Sequence, residues 1–287
     1  MIRRLKELGI DKVVFIKNKN NSAFDPMENE TERILVPKQY HTLQKAVDMA
    51  KDGAVIILAP GVYEETITIS GKSVMLRSEN PEDEKIVAST IIDAKGKGPV
   101  ILLEGTSSTV WGITVRGGYT ADKGGGIFIH GKSSSLIKGN IIEKNSTDKL
   151  GGGILISQAH APRIVGNIIR NNKALGAAGI EAIESTVYMK GDRISGNTAS
   201  GPGGGVWIQE CKGVFRENVV SGNNARVGAG LYISSQSTVD ILMNEFSENT
   251  SEVGAGITVL EQCVVHIIGN SFVANKAHKI GGAFVFG

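Results

Sequence analysis

Aromatic residues, cysteines and any excess of one charge are scarce in this 287-residue chain, and each shortage removes a class of answers. Phe, Trp and Tyr make up 5% of residues against 41% hydrophobic overall, so a core has to be largely aliphatic. Lys plus Arg number 31 and Asp plus Glu 29, a formal net charge of +2. That balance gives no argument for nucleic acid or an acidic membrane surface as partner. No apolar run reaches the ~18 residues of a membrane-spanning helix. The opening Met-Ile-Arg-Arg-Leu-Lys-Glu-Leu is basic but has no apolar stretch, so it does not read as a signal peptide. The expectation is an intracellular protein, or one whose export signal lies outside this sequence. Cys211 and Cys263 are the only cysteines, too few for a disulfide framework.

What the chain has instead is glycine, 37 residues of it, and a repeat. From residue 124 a Gly-rich step leads into a short apolar strand six times: Gly126-Ile127, Gly153-Ile154, Gly179-Ile180, Gly205-Val206, Gly230-Leu231 and Gly256-Ile257. A seventh begins at Gly281-Gly282. About fourteen residues after each Gly stands an Asn or Asp, with an apolar residue two further on and an Asn five further on. The first members are Asn140, Asn167, Asp192, Asn218, Asn244 and Asn270; the second are Asn145, Asn172, Asn197, Asn223, Asn249 and Asn275. Successive first members are 27, 25, 26, 26 and 26 residues apart.

A period of 26 with high Gly and β-branched content excludes the helical repeats, which run to 33 residues or more. Within each copy the apolar residues alternate, as in Ile127-x-Ile129 and Val206-x-Ile208, which is strand periodicity. The first full copy predicts strands at Gly126–His130, Ser135–Gly139 and Asn140–Glu143. No copy buries its own apolar side, but stacked copies bury a continuous one. Stacking at ~4.8 Å also lets each buried Asn bond to the Asn above and below it. Asp192 is the exception in its column. The same stacking puts Cys211 and Cys263 two coils, ~9–10 Å, apart, beyond the ~7 Å limit for a disulfide, so both are expected to be free structural thiols.

The fold class is therefore a right-handed parallel β-helix with about 26 residues per coil. Residues 34–119 fit less regular coils, with strands predicted at Val55–Ala59, Tyr63–Ile69, Val74–Arg77, Thr90–Asp93, Val100–Glu104 and Val110–Val115. Thr42–Lys51 reads as a helix capping the first coil, with Thr42 as N-cap, Leu43, Ala46, Val47 and Ala50 as its apolar face, and Gly53 as its stop. Residues 1–24 read as a helix-like segment and an apolar strand-like run, and 25–33 as a polar linker. The domains are thus 1–33, an appendage and linker, and 34–287, the β-helix. The C-terminal end has no cap, so a partner, another copy or further chain is expected to cover it.

Val36-Pro37, Tyr40–Val47, Lys51–Glu65 and Thr90–Asp93 resemble the opening coils of the pectin-lyase-like superfamily, and Trp111–Gly118 with the later coils resembles its generic repeats. The resemblance covers residues 34–287 and implies the fold and an extracellular setting. It does not select an activity, because that superfamily holds pectate lyases, polygalacturonases, pectin methylesterases, phage tailspikes and copper-site maturation accessories. The Gln-Asp segment of the methylesterases is missing, as are the Asp-Asp pair and Gly-His-Gly of polygalacturonases. Val206-Trp-Ile-Gln-Glu is similar to a pectate-lyase strand but differs at both polar positions. His41, His130, His160, His266 and His278 share no column and no ligand spacing, so no metal is expected.

Alternation also selects the outward side chains of the first strand. Its second position reads Phe128, Leu155, Glu181, Trp207, Tyr232 and Thr258 down the stack; its fourth reads His130, Ser157, Ile183, Gln209, Ser234 and Leu260. Glu184, Glu210 and Glu261 lie just beyond. Aromatic faces beside carboxylates suit a polysaccharide or oligosaccharide, since rings stack on pyranose faces and carboxylates accept hydroxyl hydrogens. Phe128, His130, Trp207, Gln209 and Tyr232 are the candidate binding residues. Glu181, Glu184 and Glu210 are candidate catalytic carboxylates, which glycoside hydrolysis needs ~5–9.5 Å apart. A lyase would need a base beside an acid-bound cation such as calcium, and no such cluster is evident; otherwise no cofactor is expected. The competing expectation is a non-catalytic scaffold, with this flank covered by residues 1–24 or by a protein partner.

Overall fold

The computed structural model describes residues 31–260, 262–282 and, as backbone, 284–286. The segment expected at 1–24, most of the expected linker and Glu261 lie outside the described residues. The described chain is an all-β parallel solenoid of about 10 turns, about 26 residues each. Each turn visits the same faces in order. Face C holds nine strands, among them Ile127–His130, Ile154–Ser157, Ile180–Ile183, Val206–Gln209 and Leu231–Ser234. Face A follows with ten, including Leu136–Lys138, Arg163–Val165, Thr186–Lys190 and Lys212–Arg216, and face B with nine, including Ile141–Glu143 and Ile168–Arg170. Short strands of a further face D, such as Ser146–Thr147 and Thr198–Ala199, precede the Gly-rich return to face C.

Pairing is parallel and in phase, so Ile127, Ile154, Ile180, Val206, Leu231 and Ile257 form one column. All six are fully buried. The Asn columns lie at the two ends of face B. Asn172 donates from Nδ2 to Asn197 Oδ1 at 3.0 Å and to the Ile142 carbonyl at 3.0 Å, and its backbone N–H also reaches Asn197 Oδ1 at 3.0 Å. The pattern repeats from Asn145 to Asn275. Each buried amide thus has its donors and acceptor used, which is what makes a polar group tolerable inside.

A third column was not anticipated. At the corner from face C to face A the backbone N–H of Ala159 donates to Ser185 Oγ (3.0 Å), that of Ser185 to Cys211 Sγ (3.4 Å), and that of Cys211 to Ser237 Oγ (3.2 Å). Cys211 and Cys263 are both free thiols. Cys211 stands in this ladder as a small acceptor, and burial pushes its thiol up to about 11.

Near the N-terminal end the helix α1 spans Leu43–Met49, with the Thr42 hydroxyl accepting from the Lys45 N–H and the Glu65 carboxylate taking the N–H groups of Leu43 and Gln44. Leu43, Ala46 and Val47 are buried in the solenoid core. The helix ends at Ala50 in extended backbone, before the expected stop at Gly53. Two predicted strands are each split: Gly61–Tyr63 and Ile67–Ser70 replace 63–69, and Thr109–Trp111 and Thr114–Arg116 replace 110–115. Gly112 makes the second break at φ 64, and a Cβ there would stand 2.2 Å from Pro81 Cβ. A second helix, α2 (Glu84–Ser89), was not anticipated; at six residues it is too short to show helical periodicity. The solenoid strands begin at Arg33, inside the segment read as linker.

Candidate functional site

At the corner leaving face C the chain turns through left-handed backbone without glycine. Glu184 has φ 48 and Glu210 φ 52. The turn is held by its neighbours: the Glu184 N–H donates to the Gln209 carbonyl at 3.2 Å, and the Glu210 N–H to the Ser235 carbonyl at 3.0 Å. The two glutamates are therefore equivalents on adjacent coils, with backbones one coil rise, ~4.8 Å, apart. Both are exposed. They line an open cleft of about 330 Å³ with Ala159, His160, Ser185, Thr186 and Lys212. Gln158 donates from Nε2 to Glu184 Oε2 at 2.8 Å, fixing one carboxylate.

The cleft brings together two of the three predicted carboxylates. Glu181 is the exception and corrects the expectation of an outward, accessible acid. It leaves the core side of its strand, as the alternation requires, but is fully buried. In register it lies between Leu155 and Trp207, and the Gly-rich return of its own coil packs on the same flank: a Cβ on Gly176 would come 3.1 Å from the Trp207 ring. Glu181 Oε1 accepts from Gln209 Nε2 at 2.8 Å, while Oε2 has no partner. Burial pushes this carboxyl up to about 8, opposed by the Gln209 bond.

The aromatic row is also interrupted. Phe128 stacks on His130 with centroids 4.6 Å apart, and His130 Nε2 lies 3.6 Å from Glu104. Three coils away Trp207 meets Tyr232 edge to face at 5.3 Å, its Nε1 donating to Ser234 Oγ at 2.9 Å. Leu155 and Glu181 separate the pairs. All four rings are half-buried by neighbouring segments, and none lines the glutamate cleft. Thr258 and Ser234, expected on the same outward rows, are buried as well. Alternation distinguishes inside from outside the core but does not register that the Gly-rich return covers the outside.

His160, weighed from the sequence only as a metal ligand, and Lys212 are cleft residues that the outward rows of the first strand do not include. With Thr186 they form a column at intervals of 26 residues, so the repeat itself carried the signal. A second open groove of about 400 Å³ runs along face D past Thr198, Arg226, Thr250, Glu252 and His278. Its Glu252 is already held by Lys279 at 2.6 Å. Among the described residues no group of three or more His, Cys, Asp or Glu is placed to hold a metal ion. No helix in the described residues is long and apolar enough to cross a membrane.

A family profile described as "Periplasmic copper-binding protein (NosD)" matches residues 62–280. No curated protein is detectably similar in sequence. Among solved structures, the alginate lyase from Paenibacillus sp. str. FPU-7 is 13% identical with a TM-score of 0.41, over 88% of this chain and 99% of that one. The pectin methylesterase from Aspergillus niger is 13% identical with a TM-score of 0.40, over 91% of this chain and 88% of that one.

Proposed function

The chain belongs to the periplasmic copper-binding protein (NosD) family, and on that premise we propose that it is a carbohydrate-binding β-helix acting outside the cytoplasm. The observation that carries the reading is the cleft in which Glu184 and Glu210 stand one coil apart with His160 and Lys212. Stacked carboxylates accept hydroxyl hydrogens from successive units of a saccharide, and the lysine and imidazole donate in return. An open, polar cleft on a straight wall suits a segment of a longer chain better than an enclosed small molecule.

The copper of the family's description does not fit the residues described. Copper takes imidazole, thiolate or thioether donors. His130 is stacked on Phe128, His266 is bonded to Asp240 at 2.8 Å, and His160 and His278 line different depressions. Cys211 is buried in the corner ladder and Met189 is sealed in the core, while the exposed Met49 and Met243 stand near opposite ends of the solenoid. A calcium site of the kind a lyase needs would require a cluster of acids, and the described residues hold none of three or more.

Binding is favoured over hydrolysis. A glycosidase raises one acid by enclosing it, yet Glu184 and Glu210 stand in the open. Glu181, the acid that is raised, is sealed beside Trp207 where no glycosidic oxygen reaches it. The test is retention on a glycan array by the wild type and by Glu184→Gln/Glu210→Gln. We expect the double variant to lose about tenfold in affinity for at least one retained glycan; equal retention rejects the reading. A second reading, a protein-binding scaffold, draws on the last described coil, where Val264, Ile268, Val273 and Ile280 are more than half exposed. Self-association detectable by sedimentation and abolished by Ile268→Lys would favour it.

A further inference from the structure

The outer flank of face C is sealed on its later coils and open on its earliest. On most coils a glycine of the return stands four residues before the outward residue of the strand. A Cβ on Gly151 would come 2.7 Å from Leu155 Cβ, one on Gly203 2.9 Å from Trp207 Cβ, and one on Gly228 2.8 Å from Tyr232 Cβ. The equivalent Gly98 makes no such approach to the outward Leu102: a Cβ there would meet only Thr66, at 3.8 Å. A Cβ on Gly124 would first meet Leu155 of the next coil, at 2.6 Å. The return stands off from the first outward residues, and a cavity of about 190 Å³ is left over them. Thr68, Leu102 and Phe128, successive in register on three strands, line its base.

The residue before that glycine position changes where the flank opens. Along the stack it reads Lys97, Lys123, Leu150, Gly176, Pro202 and Val227. Lysine occurs in this column only on the two coils that border the cavity, and both lysines line it. Both are exposed. The Val100 N–H donates to the Gly125 carbonyl at 3.2 Å, so the two returns run side by side with backbones one coil rise, ~4.8 Å, apart. Lys95, two residues before Lys97, is held by Glu64 at 3.2 Å and Asp93 at 3.5 Å. Lys97 and Lys123 have no carboxylate at ion-pair distance among the described residues. Two neighbouring ammonium groups repel, and an anion seated between them would turn that cost into attraction.

We propose that this cavity binds a small carboxylate carried on a single planar ring, of the size of benzoate. Its volume is below the ~300–1,000 Å³ of sites for drug-sized molecules, which limits the ligand to about one ring and one anionic group. Pro99, Leu102 and Phe128 supply an apolar bed for the ring. His130 covers one face of the Phe128 ring, with centroids 4.6 Å apart, and the ligand packs on what that leaves open. Lys97 and Lys123 hold the carboxylate between them through charge-assisted hydrogen bonds. A pyranose would leave most of its hydroxyl groups unpaired against so apolar a bed, which favours an unsaturated ring over a sugar. The cavity shares no lining residue with the glutamate cleft, so this proposal stands apart from the glycan reading.

The experiment titrates the full chain by calorimetry with benzoate, with benzyl alcohol as its uncharged counterpart, and with galacturonate as a sugar acid, at low and high salt. Lys97→Gln/Lys123→Gln removes the charge, and Phe128→Leu removes the ring while keeping an apolar side chain. Each variant is first checked for an unchanged far-ultraviolet spectrum and Tm. We expect the wild type to bind benzoate about tenfold more tightly than benzyl alcohol, with the advantage shrinking as salt rises. The lysine variant should lose about tenfold in affinity for benzoate and Phe128→Leu about threefold. If Phe128→Leu fails to fold, the lysine variant, altered only at exposed positions, still decides. The proposal is overturned if benzyl alcohol or galacturonate binds as tightly as benzoate, if the lysine variant keeps the wild-type affinity, or if benzoate shows no saturable binding.

Discussion

Asp192 is the residue at which the repeat departs from its own rule, and its chemistry follows from the ladder. Asn167 donates to Asp192 Oδ1 from both its backbone N–H (2.7 Å) and its Nδ2 (2.9 Å). In an asparagine the other branch would be a donor to the next Oδ1 and to a carbonyl, as Asn167 Nδ2 shows. Asp192 Oδ2 is instead buried without a partner. Only a proton on Oδ2 supplies the missing donor, and burial accordingly pushes this carboxyl up to about 7. The folded value lies above the unfolded one, near 3.8, so the native state binds the extra proton between them. That contribution to stability is fully present below about pH 4 and is lost as pH rises through 7. A shift of about 3 units corresponds to at most ~4 kcal/mol. Asp192→Asn restores the donor at every pH, so urea unfolding should show it stabilised at pH 8, unchanged or slightly weaker at pH 4, and flatter between. A variant that keeps the wild-type slope would show that Asp192 is not the proton carrier. Glu181 works in the same direction over a higher window, from about 4.5 to about 8. Glu181→Leu, which copies Leu155 in the same column, should raise Tm at pH 9 and leave it nearly unchanged at pH 4.

At the scale of elements, the strands and ladders were legible because they repeat. Gly179-Ile180 and Asn197 mean little singly, yet six copies on one register specify strand, corner and column together. The misreadings fall where an element is too short or too irregular for a period to show. The Gly112 corner was merged into one strand, α2 had six residues, and the Ser185–Cys211–Ser237 column mixes two residue types at a position where Ala159 also occurs. The candidate site was legible only in part. Glu184 and Glu210 were found through the repeat, but Glu181 was misplaced because pattern reasoning counts the core as the only interior. The ladders should dominate the energetics of single substitutions. Asn197→Ala leaves the Asn172 N–H and Nδ2 without their shared acceptor, at a cost of about 2–4 kcal/mol. Ser185→Ala removes one acceptor from the Ala159 N–H and should cost about 1 kcal/mol. Chemical denaturation of the two variants checks the order, and a larger loss in Ser185→Ala would contradict the ladder argument.

At the scale of the whole molecule, each described coil of the solenoid pairs with the coils before and after it, so its stability is a sum of coil terms and interface terms along one axis. The interior is committed to aliphatic columns and amide ladders, which leaves corners and outward faces as the places where chemistry can vary. Glu184, Glu210 and Lys212 all occupy such positions, and none could change without penalty if it lay inside. The same one-dimensional logic makes protection against exchange vary along the axis. Ile241 and Phe246 are fully buried with a coil on each side, whereas Val265, Ile267 and Phe272 of the last described coil are only partly buried against the core. Hydrogen exchange read by mass spectrometry should therefore show the amides of Val264–Ile268 exchanging through local opening, orders of magnitude faster than those of Thr186–Lys190, which open only with the body of the solenoid. Asn197→Ala should then accelerate exchange on both sides of its coil while leaving Val264–Ile268 at its already fast rate. Uniform protection from Thr186 to Ile268 would mean that the solenoid unfolds as a single unit, and the additive account of its coils would have to be given up.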